Sequence, residues 1–119
     1  MPLLEIGIVY LLVAPITEEL FFRGIIQTLL QPFSSYGINV RSISISVPII
    51  ISTILFVLIH ESYTITALLF IAALGILSGY LKEKYRSIMP CVFAHIAFNL
   101  FSVFIPRIIL IVIESNNKF

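Results

Sequence analysis

The sequence predicts an all-α fold, a polytopic transmembrane helical bundle of about four spans, as a single membrane-embedded domain over residues 1–119. Three observations carry this. Of the residues, 60% are hydrophobic and only 11% charged, and the mean hydropathy is +1.13, too apolar for a domain solvated by water. Several apolar runs approach the roughly 20 residues that a helix needs to cross about 30 Å of hydrocarbon. Polar or proline-bearing breaks separate these runs.

Span one covers about Leu3 to Leu30. It lacks a basic leader and a small-residue cleavage site, so it reads as a span rather than a signal peptide. Pro15 forfeits one backbone hydrogen bond and is expected to bend it; Gln31-Pro32 ends it. A polar stretch with Ser34, Ser35, Gly37, Asn39 and Arg41 follows. Span two starts near Ser44 or Ser46, either of which can cap a helix that carries Pro48 in its first turn, and ends near Glu61.

Span three covers about Thr66 to Leu81 and runs out in Lys82-Glu83-Lys84-Tyr85-Arg86, a cluster suited to lipid headgroups. Ser87 caps span four, Pro90 sits in its first turn, and Pro106-Arg107 interrupts the apolar run after Ile105. Arg41, Lys82, Lys84 and Arg86 fall in the two loops on one side, Arg107 and Lys118 on the other. The excess places the first side in the cytoplasm and both termini outside a cell membrane.

The net charge of +1 supplies no field for nucleic acid. The lone Cys91 implies neither a disulfide framework nor a thiolate metal site and reads as a buried small hydrophobe. Gly75 and Gly79 form a small-xxx-small pair for close helix packing.

The informative residues are polar ones inside the spans. Glu18, Glu19 and Arg23 lie mid-span, where an ionisable group costs about 2.5–3.5 kcal/mol on insertion scales. Glu19 and Arg23 stand at i, i+4 and can pair, whereas Glu18 points about 100° away. A carboxylate left over in an apolar cavity suits general acid–base work. His60 follows Phe56 at i, i+4, and His95 precedes Asn99 at i, i+4. Imidazole and carboxylate can polarise a water; imidazole and amide N–H groups can stabilise an oxyanion. His60-Glu61 is not the zinc-protease pattern H-E-x-x-H, because Thr64 occupies the second histidine position.

In order and spacing, Glu18-Glu19-x-x-x-Arg23, Phe56-x-x-x-His60 and His95-x-x-x-Asn99 resemble the three motifs of the CAAX protease and bacteriocin-processing family, also called Abi or type II CAAX prenyl protease-like proteins. The resemblance implies an intramembrane endopeptidase acting on a peptide or lipidated-protein substrate at membrane depth, in CAAX-type processing or in bacteriocin maturation and self-immunity. It also implies that Glu18 and His60 activate the attacking water, that His95 and Asn99 stabilise the oxyanion, and that Glu19, Arg23 and Phe56 support them. Glu18, His60 and His95 could hold zinc with an open position for water, or work without a metal.

Family members commonly have further spans before the first motif, whereas 17 residues precede Glu18 here. The frame is therefore expected to be shortened on its N-terminal side, and a partner chain or a homo-oligomer would complete it. Two other readings use the same residues: a non-catalytic immunity or scaffold protein, and a haem or metal carrier with His60 and His95 as ligands. The span boundaries leave His60 near the outer end of its span and His95 only about 10 Å past the inner end of its own.

Overall fold

The computed structural model describes residues 2–61 and 64–118. Among them the chain forms four helices and one two-stranded hairpin: α1 (residues 3–29), β1 (Gly37–Val40), β2 (Ile43–Ser46), α2 (Val47–Ile59), α3 (Ile65–Tyr85) and α4 (Met89–Asn116). The bundle is elongated, 61 × 25 × 24 Å. Two helices are long and apolar enough to cross a membrane, α3 with a mean hydropathy of 1.8 and α4 with 2.4. This is a helical membrane protein.

Neither proline stops its helix. In α1 the backbone widens to π geometry over Val9–Val13, just before Pro15, and in α4 over Leu100–Phe104, just before Pro106. Ala14 N–H then bonds Val9 O, and Ile105 N–H bonds Leu100 O. Proline supplies no N–H and crowds the carbonyl one turn back; the wider turn accommodates both effects. The interruption expected at Pro106-Arg107 is thus replaced by one continuous helix. A third π stretch, Leu20–Ile26, surrounds Arg23.

The polar stretch after α1 holds a 3-10 turn, Gln31–Phe33, and the hairpin, a small antiparallel element beyond the all-α expectation. Gly37 is needed there, because a Cβ on it would lie 2.2 Å from Ile45 O. Ser46, rather than Ser44, caps α2 by accepting from Ile49 N at 3.5 Å, with Pro48 in the first turn. With 13 residues, α2 is about 20 Å long, short of a full crossing on its own. Thr64 caps α3 by accepting from Ala67 N at 3.2 Å, so this helix starts a residue before Thr66 and runs on through Lys82 and Lys84 to Tyr85. The N-cap position of α4 is Ile88 rather than the expected Ser87, whose Oγ accepts from Met89 N at 3.2 Å from one residue further out.

The helices α2 and α3 meet at the glycine pair. A Cβ on Gly75 would lie 2.8 Å from Thr53 Cγ2, and one on Gly79 would lie 2.9 Å from Ile49 Cγ2. Hydrogen in place of a side chain lets the two helices approach closely. At the same two glycines α3 takes donors from α1: Arg23 Nη2 donates to Gly75 O at 2.8 Å and Gln27 Nε2 to Gly79 O at 2.9 Å. Glu19, Arg23 and Gln27, each fully buried, form one stripe along α1. Buried Cys91 donates to Ser78 O at 3.0 Å, fixing α4 on α3.

These contacts also deal with the mismatch in depth between the histidines. Ile49 facing Gly79 and Cys91 on Ser78 set Cys91 about level with Ile50. His60 is then about 9 Å beyond His95 by helical rise, a distance covered by the side chains themselves.

Candidate active site

Glu18 and Glu19 close the α-helical segment Ala14–Glu19, between two π stretches. Adjacent residues on a helix diverge by about 100°, and the two carboxylates take different surroundings. Glu19 is fully buried, with Oε2 3.3 Å from Arg23 Nε and Oε1 2.8 Å from His95 Nδ1. Glu18 is half-buried and turns towards both histidines: its Oε2 lies 3.5 Å from His60 Nε2 and 3.5 Å from His95 Nε2.

His60 is the C-cap of α2, where ψ swings to 107° and the chain leaves the helix. Its ring turns back so that Nδ1 is 2.6 Å from Phe56 O. A carbonyl only accepts, so Nδ1 carries the proton and, in neutral imidazole, Nε2 presents a lone pair to Glu18. At His95, Nδ1 faces a carboxylate already paired with a guanidinium, which assigns the Nδ1–H in the same way. Glu18 Oε2 is buried without a hydrogen-bond donor among the described residues. Three acceptors that face one another hold together only around a proton, a water or a cation.

Phe56 is the packing hub. Its ring lies edge-on to Phe22 at 5.2 Å and to His95 at 5.6 Å, with His60 at 4.4 Å and Arg23 Cζ 4.8 Å from its centroid. Phe22, Phe56 and Leu74 form the buried core beneath the site. Such contacts restrict the imidazole rotamers and add cation–π attraction to the buried guanidinium. Asn99, also buried, donates from Nδ2 to Tyr10 O at 2.7 Å, which ties α4 to α1 above the carboxylates.

Glu18, His60, His95 and Asn99 all line one cavity of about 1020 Å³ among α1, the C-terminal end of α2, α3 and α4. Apolar residues such as Phe70, Ile71, Leu74, Phe98 and Phe101 make most of its wall. The sequence-derived residues therefore converge: Glu18, Phe56, His60, His95 and Asn99 at the cavity, and Glu19 and Arg23 behind them. Sequence reasoning did not single out Gln27, the carbonyls of Gly75 and Gly79, or Tyr10 O. The i, i+4, i+8 spacing of Glu19, Arg23 and Gln27 would have revealed the first; the carbonyl partners carry no side-chain signal.

Among the described residues, no group of three or more His, Cys, Asp or Glu side chains is placed to hold a metal ion. The donor types at Glu18, His60 and His95 nonetheless fit zinc, and two donor separations of 3.5 Å are near the roughly 3.4 Å edge of a tetrahedron with zinc–ligand bonds of about 2.0–2.1 Å. Glu19 behind His95 and Phe56 O behind His60 are the outer partners that metal-binding imidazoles use.

The sequence matches the family described as Type II CAAX prenyl endopeptidase Rce1-like over residues 2–101. No curated protein and no solved structure gives a significant match. The chain belongs to the Type II CAAX prenyl endopeptidase Rce1-like family, a family of proteases within the membrane.

Proposed function

We propose that this member of the Rce1-like family is an intramembrane endopeptidase whose hydrolytic centre is Glu18, His60, His95 and Asn99. The observation that carries the reading is the approach of Glu18 Oε2 to both Nε2 atoms, 3.5 Å each, at the polar end of an otherwise apolar cavity. Glu18 takes a proton from a water that His60 helps to orient. The water oxygen attacks the peptide carbonyl, and the departing amine receives that proton from Glu18. Asn99 donates an amide N–H to the developing oxyanion. His95, its ring held through Nδ1–H by the Glu19–Arg23 pair, contributes to the oxyanion through Nε2 when the proton shared with Glu18 sits on that atom.

Zinc is a second reading, favoured by the orphaned Oε2 facing two imine nitrogens. Glu18, His60 and His95 would hold it, and its chemistry is the lowering of the pKa of a bound water. The apolar wall suits a lipid-modified or hydrophobic peptide, consistent with CAAX-type processing; bacteriocin maturation or self-immunity would use the same cleavage. Haem ligation requires both Nε2 atoms free to face iron, and here both stand on Glu18. A non-catalytic scaffold needs no carboxylate at the head of a cavity.

We place all four helices across a cell membrane. Arg41 and the Lys82–Arg86 cluster share the cytoplasmic end, where Lys82 Nζ donates to Thr28 Oγ1 and Ser46 bonds Glu83. A homo-oligomer or partner chain would complement the short α2.

The test is cleavage of a prenylated peptide presented in detergent or bilayer by purified protein and by the Glu18→Ala, His60→Ala and His95→Ala variants. Loss in each variant with helical circular dichroism retained supports the reading. Retained cleavage in all three removes it.

A further inference from the structure

The hairpin between α1 and α2 sorts its side chains cleanly. Paired residues of an antiparallel ladder project from the same face. In the observed register Ile38 opposes Ile45 and Val40 opposes Ile43, whereas Gly37 opposes Ser46 and Asn39 opposes Ser44. One face is therefore four β-branched hydrocarbons and the other is glycine, serine and asparagine. Most of the apolar face is not covered by the bundle: Ile38 is 59%, Val40 54% and Ile43 49% exposed, while Ile45, next to α2, is partly covered.

An isolated two-stranded hairpin is marginal in water, and one with an open apolar face is an aggregation hazard. Its position names the cover. The hairpin begins eight residues after α1 ends and runs directly into the cap of α2, so it lies at an end of two membrane helices. Ser46, on its polar face, is bonded to Glu83, and Val47 N–H donates to Tyr36 O at 2.7 Å, which fixes it at the level of the Lys82–Arg86 cluster. Arg41 forms its tip, in the left-handed region at φ 56°. Tyr36 and Phe33, both well exposed, extend the apolar surface towards α1.

We propose that the hairpin is an interfacial anchor: Ile38, Val40, Ile43 and Ile45 enter the acyl–headgroup boundary of the leaflet while Asn39 and Ser44 face water. Arg41, Lys82, Lys84 and Arg86 at the same end match anionic phosphates, and the apolar face matches the depth at which interfacial elements settle, about 5–10 Å into the boundary. The partner is the lipid surface itself, and the hairpin holds α2, too short to cross unaided, at a fixed height against it.

The chain contains no tryptophan, so a single introduced indole reports alone. The full-length Val40→Trp and Asn39→Trp variants are reconstituted in vesicles of phosphatidylcholine and phosphatidylglycerol whose acyl chains are brominated near the headgroup. The proposal expects blue-shifted emission at position 40 and quenching roughly threefold stronger there than at position 39. Ile43→Trp reads the same face should Val40→Trp fail to fold, as judged by helical circular dichroism. Equal quenching on both faces overturns the proposal. So does blue-shifted emission at position 40 without quenching, which would mean that a second copy or another protein covers the face.

Discussion

His95 Nδ1 and Glu19 Oε1 are 2.8 Å apart, a bond between residues 76 positions apart in sequence. It joins α4 to α1 at the base of the cavity, and Arg23 holds the far oxygen of the same carboxylate. In the proposed mechanism Glu19 acts as a positioning residue. Glu19→Gln keeps an acceptor but loses the charge opposite Arg23, so kcat is expected to fall about 10–100-fold with little change in KM. Steady-state kinetics with a prenylated peptide check this, and an unchanged kcat would show that the bond does not orient His95.

Glu18→Gln nearly preserves the shape of the site and removes the carboxylate proposed as its base. Cleavage is expected to fall by about 10²–10⁴ while the variant still binds substrate, measured by retention of a fluorescent prenyl peptide. A loss of binding equal to the loss of rate would instead make Glu18 a structural residue.

Asn99→Ala removes the proposed oxyanion donor together with the tie to Tyr10 O. A fall in kcat of about 10²–10³ is expected. The tie is a neutral hydrogen bond worth about 1 kcal/mol, so thermal unfolding in detergent should move only slightly. A large fall in Tm with little kinetic effect would reverse the assignment.

Gly79→Leu places a side chain where Ile49 Cγ2 already stands 2.9 Å from a Cβ. Overpacking of this kind costs about 1–3 kcal/mol. Gln27 would be displaced from Gly79 O, so chemical denaturation should show a lower midpoint, whereas a neutral result would mean that α2 and α3 are not held at this spacing in the membrane.

Metal content and chelation separate the two hydrolytic readings. In the water-and-carboxylate reading, purified protein keeps its cleavage rate after treatment with a strong zinc chelator. Loss of rate, restored by added zinc and paired with stoichiometric metal that the His60→Ala variant lacks, decides for zinc.

Much of the site was legible because helical periodicity converts spacing directly into proximity. Glu19 with Arg23, Phe56 with His60 and His95 with Asn99 are each one turn apart, and each pair shares a face. What spacing cannot give is the contact between helices. The coupling of Arg23 to Gly75 O and of Asn99 to Tyr10 O runs through backbone carbonyls, which every residue has. Pro106 was misleading for a related reason: alone it signals a break, but a preceding widened turn absorbs the missing donor and leaves one helix. At the hairpin, Ser44 and Ser46 read as alternative helix caps and Gly37, Asn39 and Arg41 as a polar connection, although the alternation of isoleucine with serine from Ile43 to Ser46 is itself a strand pattern.

The segment bearing Glu18 and Glu19 is bracketed by wide turns at Val9–Val13 and Leu20–Ile26, and Asn99 directly precedes another at Leu100–Phe104. A widened turn advances the side-chain register by about one residue, so the face that carries Glu18 and Glu19 is offset from the faces α1 presents before Val9 and beyond Ile26.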